Sequence, residues 1–151
     1  MRKRNSAKAI IIRNNEMLLT KNKDTEGIFY LLPGGGQEPF EDLHNTLIRE
    51  CKEEINADIE IKDIIFIRDY IGKNHEFYEE DSDFHQTEFM FECGILDIKE
   101  GYGSNLDDMQ IGIEWIDLNR LNDIRIYPSI LKKVIKKDGT FKSVIYLGDT
   151  N

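Results

Sequence analysis

The chain has 151 residues, with 29 acidic against 20 basic side chains and a formal charge of −9. With 40% hydrophobic and 32% charged residues, it reads as a soluble globular protein, of a length that suits a single domain over residues 1–151. The acidic balance argues against a general nucleic-acid surface, and no apolar run approaches the roughly 20 residues that cross a bilayer.

The start, Met1-Arg2-Lys3-Arg4-Asn5-Ser6, is basic. The apolar stretch behind it, residues 9–12, is too short for a signal peptide, so a cytoplasmic location is expected. Residues 7–13 are rich in isoleucine and read as a strand. Asn14-Asn15 suits a tight turn, since asparagine tolerates positive φ. Residues 17–23 return as a second strand, and residues 28–32 form a third before Pro33.

A glycine run at 34–36 then leads into a helix from about Asp42 to Ile55. Leu43, Leu47, Cys51 and Ile55 form its apolar stripe. Beside that stripe lie Glu50, Glu53 and Glu54, which fall within roughly a 100° arc of one face. Like charges so placed repel by about 0.2–0.5 kcal/mol per pair. A divalent cation bound there would offset the repulsion.

Residues 59–71 cluster β-branched side chains as one long strand or two short ones. Residues 72–85 are polar and acidic, as expected of a loop or hairpin tip. Residues 86–96 alternate as a central strand, 101–105 form a loop, and 111–116 another strand. Residues 128–137 are predicted to be a C-terminal helix, with Pro128 near its first turn, and 143–147 a last strand. One helix mid-chain and one late, among strands, predict an α/β fold: an α/β/α sandwich around a central mixed sheet.

Cys51 and Cys93 sit in apolar segments without metal-ligand spacing and read as core thiols in a reducing compartment. The run Glu79-Glu80-Asp81-Ser82-Asp83 reads as a solvated loop, flanked by surface histidines at 75 and 85. His44 is expected to be exposed and Trp115 to belong to the core.

The pattern Gly35-x5-Glu41-x7-Arg49-Glu50-Cys51-x-Glu53-Glu54-x-Asn56-Ala57 resembles the Nudix box. That box usually reads G-x5-E-x7-R-E-U-x-E-E-x-G-U, where U is bulky and apolar. Its first glycine and all five of its charged positions match. Asn56 replaces the usual glycine, Cys51 an aliphatic residue, and Ala57 is smaller than usual. Asparagine is next best to glycine in the left-handed conformation, so Asn56 can serve as the helix stop. None of the departures touches a carboxylate.

The resemblance implies a MutT-like, Mg²⁺-dependent hydrolase, with Mn²⁺ able to substitute. Such an enzyme cleaves the phosphoanhydride (pyrophosphate) bond of a small-molecule nucleotide, a nucleoside diphosphate derivative. By resemblance, Glu50, Glu53 and Glu54 would be the metal ligands, and the backbone carbonyl of Gly34 would add another. Glu53 or Glu54 would help to activate water. Arg49, the third catalytic residue, would anchor Glu41 and the loop rather than touch substrate, and could pair with Glu53.

Family members often carry a Glu-Trp-apolar segment like Glu114-Trp115-Ile116, preceded by a loop acid that reaches the metals. Asp108 is the candidate for that acid, with Asp107 next. The alternative function is a non-catalytic nucleotide-sensing module on the same fold, which the intact glutamate set argues against. Removal of the 5′ end of RNA is disfavoured by the acidic balance and the lack of basic patches. Selectivity in the family lies outside the box, and Gly72-Lys73-Asn74-His75-Glu76 carries neither subfamily marker, proline or tyrosine. Substrate-binding residues are therefore unassigned. Dimerisation is common among relatives, and no feature of this chain specifies a homodimer.

Overall fold

The computed structural model describes residues 2–99 and 109–151. Strand β1 (Arg2–Arg13) alternates between two interiors: Ala7, Ala9 and Ile11 face one, and Ile10 the other. Asn14 and Asn15 have φ of 53° and 60° and connect β1 to β2 (Glu16–Asp24), with Arg13 opposite Glu16. Two positive φ values suit the right-handed twist of a two-residue hairpin.

Strands β3 (Gly27–Leu31) and β4 (Gly34–Gly36) follow, then helix α1 (Leu43–Ile55) and the long strand β5 (Ala57–Ile71). A 3-10 turn at Gly72–Asn74 and the short helix α2 (Tyr78–Asp81) lead to β6 (Phe84–Ile98). Strand β7 (Gln110–Asp117), a 3-10 segment at Leu118–Asp123, β8 (Ile126–Tyr127), helix α3 (Leu131–Val134) and β9 (Tyr146–Asp149) complete the described chain.

Among the described residues the strands form one mixed sheet, ordered β8-β3-β2-β1-β6-β5-β9, with β4 on β1 and β7 on β2. Strand β1 is divided. Ser6 to Lys8 pair with β4, whereas Ile12 and Arg13 pair with β2. Its parallel neighbour β6 runs beside it from Arg2 to Ile11. On one side of the sheet, α1 covers Ala7, Ala9, Ile11, Phe91 and Cys93. On the other, Leu118, Leu121, Leu131, Val134 and Ile135 close over Ile10, Phe66 and Met90.

The predicted α/β class with a central mixed sheet is what the chain adopts. Several elements differ from expectation. Strand β1 starts at Arg2 rather than residue 7, because β6 supplies a parallel partner that no local pattern announces. The glycine run is itself a strand against β1. The tip at 72–85 contains two short helical pieces, and the last strand lies at Tyr146–Asp149 rather than 143–147.

The C-terminal helix predicted over 128–137 shrinks to Leu131–Val134. Asp138 accepts hydrogen bonds from the Thr140 amide and hydroxyl, and Gly139 turns the chain at φ 85°. Ile135 can then bridge to Phe141. An Asp-Gly turn with β-branched residues before it outcompetes the helix.

A buried polar layer accompanies the core. Arg68 and Glu88, each about 5% exposed or less, pair at 2.8 Å. Gln86 donates to the other Glu88 oxygen at 2.7 Å. Arg68 Nη1 also donates to the Thr150 carbonyl and to Asn151 Oδ1. Burial pushes the Glu88 carboxyl up, but the Arg68 and Lys8 charges outweigh it and hold it below its usual range. Cys51 and Cys93 are buried free thiols, each with its pKa raised by burial.

Candidate active site

Local sequence sets both ends of α1. Asp42 accepts a hydrogen bond from the Asn45 amide at 2.8 Å, as a helix N-cap does. Asn56 takes the left-handed conformation at φ 52°, ψ 41°, and its amide donates to the Cys51 carbonyl. Leu47, Cys51 and Ile55 are fully buried and fix the helix rotation. Arg49 and Glu54 thereby reach β4, and Glu50 lies over Gly35.

Arg49 is the hub. Its Nε and Nη2 donate to the two oxygens of Glu41 at 2.7 and 2.9 Å, a bidentate pair. Nη2 also reaches the Gly36 carbonyl at 3.1 Å, and Nη1 reaches Glu50 at 3.0 Å and Glu53 at 3.4 Å. Arg49 thus ties Glu41 and the glycine strand to two of the three helix carboxylates.

Glu41 accepts further bonds from the Glu38 amide at 2.9 Å and the Thr46 hydroxyl at 3.1 Å. Arg49 first, then these donors, lower its pKa from 4.5 to about 2. A depressed carboxylate stabilises the fold above its unfolded pKa and loses that effect as pH falls through the folded value. The Tm gap between wild type and Glu41→Gln is therefore full above about pH 4.5 and closes towards about pH 2. Thermal melts across that window check it, and a gap that ignores pH would contradict the clamp.

Glu54 is 4% exposed and accepts from the Gly34 amide at 3.1 Å. Glu50 lies so close to Gly35 that an added Cβ there would sit 2.5–2.6 Å from its carboxylate. Only glycine leaves that space. Burial pushes the Glu50 carboxyl up, with Arg49 opposing. The protein thus holds a carboxylate where negative charge is poorly solvated.

Among the described residues, no group of three His, Cys, Asp or Glu side chains is arranged to hold a metal ion. Glu50 and Glu53 lean onto Arg49 instead. The Gly34 carbonyl, the expected backbone ligand, accepts from Lys8 Nζ at 3.3 Å, and the Leu32 carbonyl does so at 3.4 Å. Lys8 is the residue that sequence reasoning missed. It lies outside the box, and only the β1–β4 register, Lys8 opposite Gly34, brings it there. Asp107 and Asp108 lie outside the described residues.

The remaining candidates lie elsewhere. Trp115 is partly buried against the α1 core, with the Arg13 guanidinium 4.5 Å from its ring centre. His75 pairs with Asp149 at 2.6 Å and His85 with Asp69 at 2.8 Å. Burial raises the Asp69 carboxyl, but Tyr146, His85 and Thr87 overcome this and hold it at about 2. Within the acidic run, Asp81 accepts from the Tyr70 hydroxyl at 2.7 Å. His44 is exposed, its ring edge against Phe91.

A family model described as the NUDIX domain matches residues 2–137. The chain belongs to the NUDIX family. The nucleoside triphosphatase NudI of Enterobacter sp. (strain 638) is 39% identical over 64 residues. That match spans 40% of this chain and 45% of NudI, less than half of either.

A Nudix hydrolase from Nitrosomonas europaea superposes with a TM-score of 0.68 at 18% identity, over 99% of this chain and 81% of that one. A MutT Nudix hydrolase from Burkholderia pseudomallei gives 0.60 at 21% identity, over 79% and 86%. These likenesses bear on the Nudix fold. The family match begins at Arg2, and residues 2–6 supply the first five of the twelve residues of β1.

Proposed function

We propose that the chain is a Mg²⁺-dependent pyrophosphohydrolase that cleaves the phosphoanhydride bond of a small nucleotide derivative. The observation that carries this reading is the α1 face: Glu50 and Glu54 are set against a glycine strand, and Arg49 braces Glu50 and Glu53. A donor set of carboxylate oxygens alone suits Mg²⁺. The Glu50 carboxylate, desolvated in the cradle that Gly35 leaves open, fits a site that a cation completes.

Glu50, Glu53 and Glu54 would hold the ion, with the Gly34 carbonyl contested by Lys8 and Asp108 as the loop acid. When bound, the ion neutralises phosphate oxygens and lowers the pKa of water. Arg49 positions the face through Glu41 and Gly36. Glu53 or Glu54 takes a proton from the attacking water. Water adds to phosphorus, the bridging P–O bond breaks, and its electron pair leaves on the departing phosphate oxygen. The related proteins support the nucleotide class: the names of two are a nucleoside triphosphatase and an ADP-ribose pyrophosphatase, the latter from Streptococcus suis.

The test is a phosphate-release screen of nucleoside triphosphates and capped diphosphates with Mg²⁺, Mn²⁺ and EDTA. Release with either metal and none with EDTA is expected. Ligand-dependent stabilisation without any release would favour the nucleotide-sensing alternative.

A further inference from the structure

Even-numbered residues of β1 (Arg2, Arg4, Ser6 and Lys8) share one face of the strand. Ser6 lies opposite Gly36 and Lys8 opposite Gly34, so this row runs beside the glycine strand. The expected lack of basic patches is thereby corrected. Three cations in four alternate positions form one, about 20 Å long at ~3.3 Å per residue.

At its outer end is a cavity of about 380 Å³ lined by Arg2, Arg4, Asp81 and Phe84. The Arg2 and Arg4 guanidinium carbons lie 4.8 and 5.3 Å from the Phe84 ring centre. Arg4 Nε donates to Gln86 Oε1, which fixes the plane of the guanidinium. Arg4 also fills the room that Gly36 leaves, since a Cβ there would lie 2.6 Å from its Nη1.

Among the described residues Arg4 has no ion-pair partner, in a chain where acids outnumber bases. Asp81 is engaged by Tyr70, and the ion pair of Arg2 among the described residues is an exposed contact to Asp83 at 3.7 Å. The Phe84 ring is taken by two guanidinium groups, so no aromatic face there is offered to a nucleobase. Guanidinium N–H groups pointing into a cavity are suited to phosphate oxygens.

The position decides which phosphate. Gly35 borders Glu50, and the next residue, Gly36, borders Arg4. A polyphosphate crossing the outer edge of β4 would meet the carboxylate helix and then the guanidinium. We propose that Arg4, with Arg2 behind it, binds the free terminal phosphate of a nucleoside 5′-triphosphate and selects it over sugar-capped diphosphates. This rests on the hydrolase reading above for its kinetic consequence, but not for binding. A capped diphosphate presents hydroxyl groups to the cavity, whereas a triphosphate presents extra negative charge.

Calorimetric titration of the full chain with inorganic tripolyphosphate in Ca²⁺ buffer tests the binding directly. Arg4→Gln should weaken Kd about tenfold or more, Arg4→Lys should recover part of the loss, and Arg2→Gln should weaken it about threefold. Lys133→Gln, an exposed position on α3 that does not line the cavity, should leave it unchanged. In turnover, Arg4→Gln should lower the ratio of kcat/KM for a triphosphate over an NDP-sugar by about tenfold. An unchanged Kd in Arg4→Gln, or an unchanged ratio, overturns the proposal. If the wild type hydrolyses no nucleotide, the hydrolase reading fails, while the titration still decides the role of Arg4. Arg2→Gln, at an exposed position, keeps the test open should Arg4→Gln fold poorly.

Discussion

Glu54→Gln should lower metal-dependent turnover about a thousandfold, equivalent to roughly 4 kcal/mol of transition-state stabilisation, with Tm shifted by less than about 3 °C. The two effects separate because of what Glu54 does in the fold. Its Oε2 accepts the Gly34 amide, and glutamine retains an oxygen able to accept that bond. The substitution removes negative charge and basicity. A metal carboxylate or general base needs both, whereas a helix-to-strand hydrogen bond needs neither. Glu53→Gln should behave alike, its contact to Arg49 being long at 3.4 Å and partly exposed. Initial rates with saturating Mg²⁺, beside thermal melts, are the measurement. Full activity in both variants would falsify the carboxylate assignment.

Arg49→Met should remove about 2–3 kcal/mol of stability, a lowering of Tm by roughly 4–12 °C for a chain of this size. Methionine preserves most of the apolar stem, so the loss is electrostatic. Glu41 loses its bidentate partner, and Glu50, already poorly solvated, is left charged beside Glu53. Arg49→Lys should recover little, because one ammonium cannot span Glu41, Glu50 and the Gly36 carbonyl. Mg²⁺ should raise the Tm of Arg49→Met more than that of wild type, since the cation answers carboxylates that the arginine no longer faces. A Tm equal to wild type, or no extra metal response, would contradict the hub.

The box was legible because its information is local. Spacing along one helix fixed the acidic arc, Asp42 and Asn56 fixed the ends, and the Leu47–Cys51–Ile55 stripe fixed the rotation. The asparagine hairpin at 14–15 was legible for the same reason. What escaped depends on partners distant in sequence. Residues 2–6 carry no strand pattern of their own, and β6 alongside makes them one. Lys8 looks like a surface lysine until β4 pairs opposite it. Arg68 and Glu88 are 20 residues apart on adjacent strands, and composition gives no hint that both are buried. The C-terminal helix fell to a local competition: Pro128 suits a helix start, but the Asp138-Gly139 turn ends the helix early.

The buried guanidinium of Arg68 leans on the last two residues of the sequence, through the Thr150 carbonyl and Asn151 Oδ1. Ser129 ties the Asn151 carbonyl down as well. Displacing this pair would strip acceptors from a charge already out of water, where each unmade bond costs about 1–3 kcal/mol. Thr150 and Asn151 therefore work as a stopper held by polarity, and loosening them would be felt by the buried Arg68–Glu88 pair between β5 and β6.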